Sequence, residues 1–256
     1  MDIKLLLLIT TGAFVGAASG YLGSFMVLKR MSLVGDALSH VALPGIAIAL
    51  ALGIDPLLGA LVALTLAVIG IWYLGEHSEI YPEALVGVFF TASLAIGILV
   101  TPEPELLEAL FGDLERIGYW DGLLTIVLAM LIFVVTRRIS RRLLLGVVSE
   151  DLASSTGVNT SHVNFIYLLL VGVVVALGVK FVGTLLTGAL VIVPAVAAKN
   201  LAKSINHFYV LASLIGVVSV AVGIVIAKFV SVPSGPAVVL VSIAIFILSY
   251  VLKNRN

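Results

Sequence analysis

From end to end the chain alternates between apolar runs of about 20 residues and short breaks rich in charge, glycine or proline. The runs fall at 5–28, 33–53, 56–74, 84–101, 119–136, 163–180, 184–202, 207–228 and 233–252. A helix of about 20 apolar residues crosses a hydrocarbon core about 30 Å thick. The pattern therefore predicts an all-α polytopic membrane protein, with about nine transmembrane helices in a single domain over 1–256. The break at 180–183 is short and Pro194 interrupts the run after it, so counts of eight or ten fit the same pattern. The first run continues to Leu28 and meets Lys29 and Arg30. That is the length and flank of a span rather than of a cleaved signal.

Composition sharpens the class. The hydrophobic fraction is 61% and the charged fraction 11%, against about 45–50% and about 25% in soluble domains. Mean hydropathy is +1.26. Net charge is zero, so nothing points to nucleic acid or an acidic substrate. There is no cysteine, which removes disulfides, thiolate metal sites and thiol chemistry together. No nucleophile elbow, zinc-protease helix or phosphate loop is present, so the chain does not read as an enzyme. If ATP drives its work, the ATPase is a separate chain. Lys and Arg set the orientation. With the N-terminus outside, ten of them fall inside (Lys29, Arg30, Arg137, Arg138, Arg141, Arg142, Lys199, Lys203, Lys253, Arg255) and four outside (Lys4, Arg116, Lys180, Lys228). The expected topology is N-out, C-in.

Two connections are long. Residues 102–118 carry Glu103, Glu105, Glu108, Asp113 and Glu115 against Arg116, and are expected outside. Residues 137–162 are expected inside, and their middle, SEDLASSTG, reads as a short helix. Ser149 suits its N-cap, Glu150 and Asp151 its first turn, Leu152 and Ala153 its body, and Gly157 its end. A solvated loop helix and a docking helix for a cytoplasmic partner are both open readings. In the first run Gly12, Gly16 and Gly20 recur at four-residue spacing, which lets another helix approach closely.

The candidate chemistry lies in GDALSHVALPG, 35–45. Asp36 and His40 are four apart and share one helix face. If the helix starts near Met31, they sit about 8 Å and about 14 Å along it, with His40 near mid-membrane. Ionisable groups at that depth are costly and usually face a cavity or a partner. Pro44 lacks an N–H and crowds the carbonyl of His40, and Gly45 follows, so a helix break is expected at Pro44 and Gly45. A carboxylate, an imidazole and a freed carbonyl would then lie together. Imidazole with carboxylate suits Zn²⁺, Mn²⁺ or Fe²⁺ better than Ca²⁺ or Mg²⁺. Two ligating side chains are few for a tight site, which suits an ion in transit. A proton relay and a purely structural Asp–His pair remain open on these residues alone. His77, His162 and His207 read as solvated or interfacial, and Lys180 and Lys228 as snorkelling.

Several blocks, in order, resemble the membrane permease subunit of the zinc/manganese ABC importers: FMVLKRMSLVGDALSHVALPGIAIA, FGDLERI, VSEDLASSTGVNTSHVN, VGTLLTGALVIVPAVAAKNLAKS and FVSVPSGPAVVLVSIAIF. The resemblance covers nearly the whole length. It implies a permease in the cytoplasmic membrane that works as a homodimer, with ATPase subunits below and a metal-loaded extracytoplasmic binding protein above. It implies a fold like that of the cobalamin-importer permeases, which carry an extra N-terminal span. Asp36 and His40 match the family's Asp and His in the translocation path, and 149–157 its coupling helix. The transported substrate would be Zn²⁺ or Mn²⁺, with no cofactor bound by this chain. The rivals are a stand-alone, proton-coupled metal transporter and a membrane scaffold that carries nothing, its Asp–His pair being structural.

Overall fold

A computed structural model describes residues 3–100 and 118–253, and every regular element within them is an α-helix. The acidic stretch 102–117, with FGDLERI, and Arg255 lie outside the described residues. The helices are α1 (Ile3–Leu28), α2 (Val34–Ala51), α3 (Pro56–His77), α4 (Pro82–Val100), α5 (Tyr119–Val148), α6 (Glu150–Ser155), α7 (Thr160–Val182), α8 (Thr184–Leu201), α9 (Ile205–Val230) and α10 (Ser234–Lys253). Each apolar run coincides with one helix. Eight helices are long and apolar enough to cross a membrane, and in α8 the apolar stretch is the shorter Leu186–Leu201.

Local chemistry sets the helix ends. Asp55 accepts from the Leu57 N–H at 2.7 Å and Pro56 opens α3, a pairing suited to a helix start. Asn159 accepts from His162 N–H at the start of α7, and Ser204 from His207 N–H at the start of α9. The α1–α2 turn departs from expectation. Met31 N–H reaches back to the Met26 carbonyl at 2.9 Å, and Arg30 adopts φ +59°. This is a Schellman-type stop with an arginine in the left-handed position that glycine normally fills. The turn consumes residues up to Leu33, so α2 begins at Val34, not near Met31.

The glycines of α1 do what their spacing predicts. A Cβ on Gly16 would lie 2.5 Å from the Gly216 carbonyl oxygen, and one on Gly20 2.1 Å from that of Ala212, so α9 packs backbone-to-backbone on α1. α5, α7 and α8 complete the surroundings of α1. Toward the outside, Leu58, Val62, Leu66 and Ile69 form a helical stripe on α3, each more than 40% exposed. Such a stripe fits hydrocarbon rather than water. Polar ties cluster near helix ends: Lys180 with Asp121 at 3.0 Å, Trp72 Nε1 donating to Ser161 at 2.9 Å, and Asn200 donating to Ser249 at 3.0 Å.

Candidate functional site

Asp36 is the third residue of α2, about 3 Å from its start, and His40 the seventh, about 9 Å along. The late helix start therefore moves the pair toward the N-terminal end of α2, with His40 just past its first third. Asp36 occupies the first turn of α2, at the positive end of the helix dipole. Both side chains are half-buried, whereas Ser39 between them is fully buried.

α8 frames the pair from across the molecule. α7 and α8 are joined by Gly183 alone, at φ +78° and ψ 170°, a conformation open essentially only to glycine. The chain reverses there, and the first turn of α8 runs antiparallel against the first turns of α2. The Ser39 hydroxyl lies 2.6 Å from the Thr184 carbonyl and 2.7 Å from that of Asp36, so its one proton serves both acceptors. One turn on, Gly188 lies against Asp36: a Cβ there would fall 2.7 Å from Asp36 Cβ and 2.8 Å from Asp36 Oδ1. On the other side His40 meets the edge of Phe90 from α4, ring centroids 5.4 Å apart.

Pro44 and Gly45 do not break α2, which stays helical from Val34 to Ala51. Proline still supplies no N–H to the His40 carbonyl. Gly45 serves packing instead. A Cβ on it would lie 2.2 Å from the Gly59 carbonyl oxygen, and one on Gly59 2.1 Å from that of Gly45, so α2 and α3 touch through their backbones here. A close crossing of this kind braces a helix whose ladder the proline has weakened.

The donor set is small. Among the described residues no three His, Cys, Asp or Glu side chains gather to hold a metal ion. Asp36 and His40 supply one carboxylate and one imidazole. His40 Nδ1 is buried and has no hydrogen-bond partner, and the same holds for Thr184 Oγ1. A buried nitrogen left unpaired costs free energy unless something satisfies it. An incoming metal cation would do so. Glu76, His77 and Glu79 form no such group, and His77 Nδ1 lies against the Tyr73 carbonyl at 2.8 Å.

The second predicted feature, at 149–157, is helical as expected. Ser149 accepts from the Leu152 N–H at 3.2 Å and caps α6, Glu150 and Asp151 occupy its exposed first turn, and Gly157 follows at φ +79°. Ala153 is fully buried and anchors the helix, while Leu152 is 49% exposed. Nearby, Lys29 joins the α1–α2 turn to α7. Its Nζ donates to Asn164 at 2.5 Å and lies 5.5 Å from the Tyr167 ring centre. Burial pushes the Lys29 pKa down, and the Glu150 charge partly restores it.

Ser39, Thr184 and Gly188 escaped the sequence reading. The only trace of them is the small-residue character of GTLLTG, 183–188, beside an apolar run.

The chain resembles known membrane proteins along nearly its whole length. The chain is 31% identical over 250 residues to the manganese transport system membrane protein MntC of Listeria monocytogenes, covering 96% of this chain and 89% of that one. It is 30% identical over 255 residues to the high-affinity zinc uptake system membrane protein ZnuB of Haemophilus influenzae, covering 96% of each. Its structure matches PsaBC from Streptococcus pneumoniae, solved in complex with Fab, with a TM-score of 0.85 at 30% identity, over 98% of this chain and 92% of that one. It also shares its fold with a metal-chelate type ABC transporter in an inward-facing conformation, at a TM-score of 0.76 and 19% identity, over 96% and 85% of the two chains. The model of the ABC 3 transport family matches residues 3–253, and the chain belongs to that family.

Proposed function

We propose that this chain is the permease subunit of an ATP-binding-cassette importer that carries Zn²⁺ or Mn²⁺ across the cytoplasmic membrane. The observation that carries the reading is the Asp36–His40 face of α2, with a buried, unpartnered imidazole nitrogen, in a chain whose relatives are named for manganese and zinc transport. The protein crosses the membrane about nine times, N-out and C-in, with the shorter α8 as the seventh crossing in chain order. Two copies enclose the path, and each contributes one carboxylate and one imidazole. A binding protein delivers the ion from outside, and two ATPase subunits dock below.

Each residue has a stated task in this reading. Asp36 attracts the cation and supplies an oxygen ligand. His40 supplies Nδ1 or Nε2 when neutral, as metal ligation requires. Two ligands per chain hold the ion briefly enough to release it. α6 seats on the ATPase through Leu152 and its acidic first turn, anchored to the bundle by Ala153. ATP binding and hydrolysis shift this contact and switch access from one side to the other. The loop at 102–118 gathers cations near the entrance, an effect that salt weakens.

The test uses vesicles holding the permease with its ATPase and binding protein. Uptake of Zn²⁺ or Mn²⁺ should require ATP and survive a proton ionophore. Uptake that persists with a hydrolysis-deficient ATPase and collapses with the proton gradient would replace this reading by a proton-coupled transporter.

A further inference from the structure

We propose that Gly188 and Ser39 are positioning residues for the Asp36 carboxylate, so that the first two turns of α8 set the metal preference and affinity of the transit site. The inference rests on the reading of Asp36 as an ion ligand and goes beyond it, because neither residue offers the ion a charge.

Three contacts carry it. Ser39, fully buried, fastens α2 to the Thr184 carbonyl at 2.6 Å. Gly188 lies so close under Asp36 that an added Cβ would meet its Cα at 2.8 Å, its Cβ at 2.7 Å and its Oδ1 at 2.8 Å. Two of those three atoms are fixed to the α2 backbone, so rotation of the Asp36 side chain alone cannot relieve the conflict. The third contact holds α8 itself: Thr187 donates to the Gly183 carbonyl at 2.6 Å, bracing the turn in which Gly183 takes its positive φ. The bare backbone face of α8 therefore fixes how near the carboxylate-bearing turn of α2 can come and which way Oδ1 points. A transit site with few ligands is sensitive to this, since Zn²⁺ favours four close ligands in a tetrahedron while Mn²⁺ accepts more oxygens at an octahedral site. A carboxylate moved by a fraction of an ångström changes that balance.

α8 also stops short against α2. Thr184, its first residue, faces Ser39, and α2 continues twelve residues further to Ala51. The element that positions Asp36 thus ends beside it, at the Gly183 joint, and can move with that joint when access switches.

The experiment measures initial ATP-dependent uptake against concentration for Zn²⁺ and for Mn²⁺ separately, in the assembled transporter. Variants are Gly188→Ala, Ser39→Ala and Gly172→Ala, the last adding a Cβ only to ordinary contacts of 3.6 Å or more. Gly188→Ala should raise apparent KM by about 10-fold or more and change the Zn²⁺ to Mn²⁺ ratio of KM values, in line with the cost of misplacing a ligating group. Ser39→Ala should shift the same ratio by roughly 3-fold, and Gly172→Ala should leave it at the wild-type value. Alanine is the better helix former, so a loss in Gly188→Ala cannot come from a weaker α8. If Gly188→Ala fails to assemble, Ser39→Ala decides alone, since it removes only a hydroxyl. Wild-type KM values and ratio in Gly188→Ala and Ser39→Ala, with Asp36→Ala inactive, would overturn this inference and leave the transit site standing. Full uptake in Asp36→Ala would overturn the transit site itself.

Discussion

Replacing Gly59 by alanine tests how closely α2 must be held. The new Cβ would lie 2.1 Å from the Gly45 carbonyl oxygen and 2.6 Å from Ala49 Cβ. Carbon and oxygen that are not bonded need about 3 Å or more, so the two helices must part by about 1 Å at this crossing. Overpacking of this kind costs about 1–3 kcal/mol. The helix-propensity gain of Gly→Ala, about 1 kcal/mol, acts in the opposite direction. Gly87 supplies the control, because a Cβ there meets nothing within 4 Å and collects the propensity gain alone. Gly59→Ala should therefore be less stable than Gly87→Ala by about 1–3 kcal/mol, or roughly 2–12 °C in the thermal midpoint of the detergent-purified protein. Uptake should fall in Gly59→Ala and stay near wild type in Gly87→Ala, because the displaced turn lies one and a half turns beyond His40. Equal midpoints in the two variants would refute the reasoning that Gly45 and Gly59 brace the proline-weakened part of α2.

Further outcomes are expected elsewhere. Ser149→Ala removes the α6 cap and about 1 kcal/mol of helix stability; ATP-dependent uptake should slow while the apparent metal KM stays fixed, and a changed KM at unchanged maximal rate would contradict the docking role of α6. Lys29→Met and Asn164→Leu should show a coupling of about 1 kcal/mol in a double-mutant cycle, and strict additivity would deny the link between the α1–α2 turn and α7. Because burial lowers the Lys29 pKa, the unfolded chain binds its proton more tightly; wild-type stability should rise with pH from that lowered value to the ordinary lysine value, and Lys29→Met should lack the rise. With no native cysteine to interfere, Ser231→Cys should react with an impermeant maleimide on intact cells and Ser154→Cys only after permeabilisation. The reverse pattern would invert the topology.

The periodic apolar runs located every described membrane helix, because hydrocarbon thickness imposes length on each of them independently of the others. The α6 cap was equally local and equally legible. The start of α2 was not, since the preceding turn depends on Arg30 in a left-handed conformation that arginine rarely adopts. Asp36 and His40 stood out because ionisable side chains are scarce in apolar runs, and that scarcity says nothing about depth. Gly45 looked like a point of looseness, yet the residue it meets, Gly59, turns it into a point of contact. Gly188 was beyond reach for the same reason. Its importance comes from the register of α8 against α2, a tertiary fact that joins positions far apart in sequence.

The central claim is that the ion passes over Asp36 and His40. It is tested most directly by ATP-driven uptake of Zn²⁺ and of Mn²⁺ into vesicles containing the complete transporter, comparing wild type with Asp36→Ala and His40→Ala after each is shown to assemble with its ATPase. Uptake of the native ion should be lost in both variants while the complexes remain intact. Undiminished uptake in both would make the pair structural and place the path on other helices.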